Sequence, residues 1–92
     1  MTVSLDEVKT YLRIDYPDDD ELLVGLISSA QELCASVARL PTEKFLSLES
    51  AEARLAVLYA AAYLNEHREE ADHHALTLTL RALLSGIREA GF

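Results

Sequence analysis

The chain has 92 residues, half of them apolar, and carries 8 lysines and arginines against 16 aspartates and glutamates, a formal net charge of −8. So large an apolar share excludes an intrinsically disordered chain, and the length suits one domain, residues 1–92, with a modest core of its own. No two of the eight basic residues are adjacent, so there is no basic patch to displace counterions from phosphates, and the composition argues against tight nucleic-acid binding.

Met1 to Asp6 has neither a basic stretch nor an apolar signal core, and no apolar run approaches the roughly 20 residues of a membrane span. Synthesis in the cytosol is expected. Ser4-Leu5-Asp6-Glu7 has the form of a capping box, in which Ser4 accepts from the Glu7 backbone and Glu7 reaches back to Ser4. Leu5, Val8 and Leu12 then recur at helical spacing, predicting a short helix that stops near Arg13, ahead of the turn chemistry of Asp15-Tyr16-Pro17.

A second helix is predicted to start at Asp18-Asp19-Asp20-Glu21, four carboxylates where the positive end of a helix dipole favours them. Leu22, Leu23, Leu26, Ile27, Ala30, Leu33, Cys34, Val37 and Ala38 continue it, and Leu40-Pro41 ends it after about five turns. Cys34, the only cysteine, lies on that apolar pattern and reads as a buried, inert thiol. No intrachain disulfide can form, which fits a reducing compartment.

Thr42 to Ser50 reads as a linker with room for one helical turn, anchored by Phe45 and Leu46. The third helix is predicted from near Ser50 to about Glu70. Its middle, Leu55 to Leu64, carries no charge on any face, and a helix apolar all round is buried all round. Three shorter companions can hardly cover it. Ala56, Ala60 and Ala61, with Ala62, let another backbone approach closely, which marks them as candidates for a subunit interface. The alternative is the central core helix of a monomer.

Leu76-Thr77-Leu78-Thr79-Leu80 alternates like a strand, whereas Leu76, Leu80, Leu83, Leu84 and Ile87 form a helical stripe. A lone strand leaves its ladder groups unpaired, so a helix is predicted, starting at or near Thr77 with Gly91 just past its end. Ile87 to Phe92 then reads as a docking element for a partner, with Phe92 as an aromatic anchor at an end that usually frays. The alternative is that Phe92 folds back on Leu83 or Leu84. The fold class is all-α, four helices joined by short loops, with no repeat and no low-complexity stretch.

Few residues invite chemistry. Asp15 to Glu21 lacks the alternating ligands and central glycine of a calcium loop, and capping explains the run. His67, His73 and His74 sit among acids but include no pair at the spacing of four that zinc helices use, so a solvated loop is favoured and no metal or cofactor is expected. Neither Cys34 nor any serine is set in glycine-rich turn chemistry, and no phosphate loop is present, so the chain does not read as an enzyme. Gln31 and Glu32 are poor equipment for a DNA-recognition helix.

Leu5-Asp6-Glu7-Val8-Lys9-Thr10-Tyr11-Leu12-Arg13-Ile14, followed by Asp18-Asp19-Asp20-Glu21-Leu22-Leu23, resembles the opening of phage head–tail connector proteins, also called head-completion or DNA-packaging adaptor proteins. Leu55 to Glu69 is similar to that family's long apolar helix closing on a Tyr-x-Asn-Arg-Glu motif. Tyr63 and Asn65 match it, Glu66 stands at the arginine position, and Arg68-Glu69 come two residues late. Leu83, Leu84 and Arg88 match the leucine pair and arginine of the family's last helix, while the proline before that helix is replaced near Thr77.

The resemblance implies a structural protein of the virion at the portal–tail junction, made in the host cytoplasm, with no cofactor and no catalytic step. It implies a ring of about twelve copies of the chain. The ring would join the portal protein to a tail-proximal head-completion or tail protein, without a membrane, and genomic DNA would pass through the channel without specific binding. A small dimeric helical adaptor or regulator of the bacterial cytosol is the alternative.

Overall fold

The computed structural model describes residues 3–68 and 73–87. Among them the chain is all-helical, as predicted, but it has five helices rather than four: α1 (Leu5–Leu12), α2 (Asp20–Ala38), α3 (Thr42–Leu46), α4 (Ala51–Glu66) and α5 (His74–Leu83). The extra element is the single turn anticipated in the linker. Phe45 on α3 is fully buried and Leu46 packs partly buried against the core, so this turn closes over the domain.

Helix starts follow local chemistry. The capping box of α1 forms, with the Glu7 N–H donating to Ser4 Oγ at 3.1 Å and the Ser4 N–H donating to Glu7 Oε1 at 3.2 Å. Ser50 caps α4 by accepting from the Ala53 N–H at 3.1 Å. In α5, Thr77 and Thr79 donate their hydroxyls to the carbonyls of His73 and Ala75, four residues back. This satisfies their polar groups inside a helix, and the Leu-Thr alternation gives way to burial of Leu76 and Leu80 on one face. The helix begins at His74, three residues ahead of Thr77, and ends at Leu83 with Leu84 to Ile87 in turns.

Helix ends are less obvious from composition. α1 and α2 stop at Arg13 (φ 60°) and Arg39 (φ 62°), both in the left-handed region where glycine is the usual occupant. In each case the next apolar residue closes the motif. Ile14 N–H donates to Lys9 O at 2.9 Å, and Leu40 N–H to Ala35 O at 3.0 Å. The helices therefore finish before Pro17 and Pro41 act on them. α4 closes at Glu66, four residues short of its predicted end.

α2 and α4 form the centre of the domain, with α1, α3 and α5 packed around α2 and with α1 and α5 also on α4. Ala30, Cys34, Ala35 and Ala38 of α2 and Ala53, Ala56, Ala60 and Ala61 of α4 are all buried in one core cluster. Small side chains allow the two central helices to approach closely. α2 is long and apolar enough by composition to cross a membrane, contrary to the expectation that no run comes near that length; here its apolar side forms part of the domain core. Burial pushes the Cys34 thiol up to about 12, in keeping with an inert core residue.

Candidate assembly surface

Among the described residues, three ion pairs tie the helix ends together. At one end Arg54 of α4 pairs with Glu7 of α1. Hydrogen bonds from the Arg54 side chain and then from the Ser4 backbone hold the Glu7 carboxyl below its ordinary value. At the other end Lys9 Nζ reaches Asp20 Oδ1 at 2.8 Å, and Arg68 Nη2 lies 3.8 Å from Asp19 Oδ2. Asp19 takes the N-cap position of α2 but its side chain does not cap the helix backbone. The acidic run is thus used partly for pairing between helices. Asp18 is exposed, and Glu21, also exposed, stands in the first turn of α2.

Part of the motif is brought together by this arrangement, with Arg68 reaching both Asn65 and Asp19. Arg68 donates through Nη2 to Asn65 Oδ1 at 2.6 Å and through Nε to Asn65 O at 3.2 Å. The arginine that comes late in the motif therefore locks the end of α4 and reaches the start of α2. Tyr63 stacks on His67 with ring centroids 4.0 Å apart and meets the edge of His73 at 6.2 Å. His67 and His73 pack on Tyr63 rather than standing in a solvated loop, and no cluster of metal-ligating residues occurs among the described residues.

The alanines predicted as a subunit interface lie elsewhere than expected. Ala56, Ala60 and Ala61 are at most 1% exposed, inside the subunit's own core, so their side chains are unavailable to a neighbour in this fold. The same helix turns Leu55 outward, 46% exposed. Leu84 is buried and Leu83 half-buried. Ile87, expected to dock a partner, packs partly buried against the core. Arg88 and Phe92 lie outside the described residues.

Of the large apolar side chains left outside, Tyr16, Leu22 and Val24 lie just before and in the first turns of α2, and the others lie along two flanks. Between α1 and α4 two shallow clefts meet at Tyr11. One, about 390 Å³, is walled by Tyr11, Tyr59 and Tyr63 with Arg13 and Glu66 at its edge. The other, about 410 Å³, is lined by Asp6, Glu7, Thr10, Tyr11 and Leu58. On α5, Leu78 projects half-exposed. These seams were not legible in the sequence, because the same leucines and tyrosines fit a core pattern equally well.

A helical domain that spends its polar side chains on bracing its helix ends, and leaves apolar seams outward, is equipped for assembly with other proteins. A family model described as Phage gp6-like head-tail connector protein matches residues 2–85, and the chain belongs to that family. It is thereby a structural adaptor of the phage virion. Comparison with curated proteins and with solved structures returns no match.

Proposed function

We propose that the chain forms a ring of about twelve copies that joins the capsid portal to the next tail-proximal protein and prolongs the DNA channel. The observation that carries this reading is the family match across nearly the whole chain, residues 2–85. The fold supports it. Tyr11, Tyr16, Val24, Leu55 and Leu78 are each more than two-fifths exposed, and burying such side chains against a partner is favourable.

The charge supports it too. A net charge of −8 repels phosphates, which suits a lumen through which DNA slides without adhering. No catalytic step is assigned to the chain, and its partners are further copies of itself, the portal and the tail-proximal protein. It is made in the host cytoplasm and resides at the portal–tail junction of the particle.

The test is mass. Sedimentation and native mass spectrometry of the protein at rising concentration, alone and mixed with portal, are expected to show multimers of ring size. A protein that stays monomeric or dimeric under all these conditions, portal included, refutes the reading. A dimer would favour the small cytosolic adaptor instead.

A further inference from the structure

A ring requires one surface of each subunit to receive a different surface of the next, because a contact between identical patches closes at two copies. Two distinct surfaces of this chain meet that requirement. α1 and α5 each pack on both α2 and α4 but not substantially on one another, so they present separate surfaces.

On the α1 flank, the 410 Å³ cleft has Tyr11, 43% exposed, and half-buried Leu58 among its lining residues. Glu7, at its rim, is already committed to Arg54. Asp6, also at the rim, is exposed and makes no ion pair within the described residues. The cleft thus offers apolar walls and one uncommitted negative charge.

The α5 flank is its complement. In a chain whose acids outnumber its bases two to one, residues 73–87 contain no aspartate or glutamate. Leu76 and Leu80 point inward, while Leu78 is 50% exposed between the exposed small residues Ala75 and Ala82. Arg81 stands three residues further on, where side chains share a helix face. It is exposed and, among the described residues, makes no ion pair.

We propose that Leu78 of one copy enters the Tyr11–Leu58 cleft of the next copy, while its Arg81 donates to that copy's Asp6. The inference rests on the ring reading and names the surfaces that build it. The cleft is large enough for a leucine side chain, the two uncommitted charges are opposite, and both apolar groups leave water on contact. The two surfaces are different, so the contact repeats head to tail and closes when the rotation per copy permits.

Charge exchange tests the pairing. Asp6→Arg and Arg81→Asp each place like charges at every contact, and each is expected to weaken assembly by roughly tenfold or more. An equimolar mixture of the two variants is expected to recover multimers, since alternating copies restore opposite charges at both contacts. A variant carrying both Asp6→Cys and Arg81→Cys, treated with a short bismaleimide, is expected to give a ladder of multimers. Each single variant stops at dimers, and buried Cys34 stays silent. Wild-type rings accompanied by single charge variants that assemble normally, and by no ladder, overturn this pairing and leave the ring standing. A wild type that never multimerises, with no ladder, overturns both.

Discussion

Replacing Ala60 with leucine separates a core position from an interface position. Ala60 is 0% exposed in the core cluster that α4 shares with α2, so three added carbon atoms meet packed neighbours. Overpacking of this kind costs about 1–3 kcal/mol. At about 2 kcal/mol, a domain of this size is expected to lose roughly 8–16 °C of melting temperature. The assay is thermal unfolding by circular dichroism over a range of concentrations, because self-association alone raises Tm with concentration. The loss is expected to persist at the lowest concentration, where copies are separate. Leu55→Ala, at an exposed site on the same helix, is expected to stay within about 0.5 kcal/mol of wild type. An Ala60→Leu variant that melts like wild type yet fails to multimerise would refute the placement of this alanine face inside the subunit.

Four further outcomes are expected. Ser4→Ala removes one half of the capping box and is expected to cost about 1 kcal/mol, read as a fall of roughly 4–8 °C in Tm; an unchanged Tm would show that the first turn of α1 contributes nothing. Arg39→Gly relieves a left-handed backbone that costs a side-chain-bearing residue about 1–2 kcal/mol, against an entropic penalty of about 0.5–1 kcal/mol, so chemical denaturation is expected to show a net gain of up to about 1.5 kcal/mol. A loss would mean that the arginine side chain does more than end α2. Glu7 has a lowered carboxyl pKa in the folded state, so its contribution is complete above the ordinary value of 4.5 and is lost as pH falls through the lowered folded value. The Tm difference between wild type and Glu7→Gln is therefore expected to shrink from pH 7 towards pH 3, and a difference that persists undiminished at the acid end counts against the Arg54 pairing. Cys34, buried and with its thiol pushed up to about 12, is expected to resist a thiol reagent at pH 8 and to react fully in denaturant; prompt native labelling would show an opening of the α2–α4 core.

Much of the fold was legible because it is written in local chemistry. Ser4, Glu7 and Ser50 act within three residues of their partners, so the starts of α1 and α4 follow from a short stretch of sequence. The helical stripe of Leu76, Leu80 and Leu84 likewise outweighed the Leu-Thr alternation, and all three are buried. The end of α1 near Arg13 was placed correctly, but its left-handed cap, and that of α2 at Arg39 ahead of Pro41, were not foreseen. Arginine rarely takes the left-handed cap, so nothing in its identity announces that Arg13 and Arg39 do so. The acidic run was legible as a helix start but not as the partner of Lys9 and Arg68, which come from other helices.

The sequence by itself determined the all-α class, the helix nuclei and the buried thiol, since each depends on composition or on neighbours a few positions apart. The tertiary structure alone decided which way α4 faces. From Leu55 to Leu64 no charged residue marks an outer side, so its periodicity cannot tell buried Ala56, Ala60 and Ala61 from outward Leu55. That choice is made by the close approach of α2, whose own small residues leave room for alanines and not for leucines. The outward seams at Tyr11 and Leu78 follow from the same packing, because what a helix shows to a partner is what its own domain leaves uncovered.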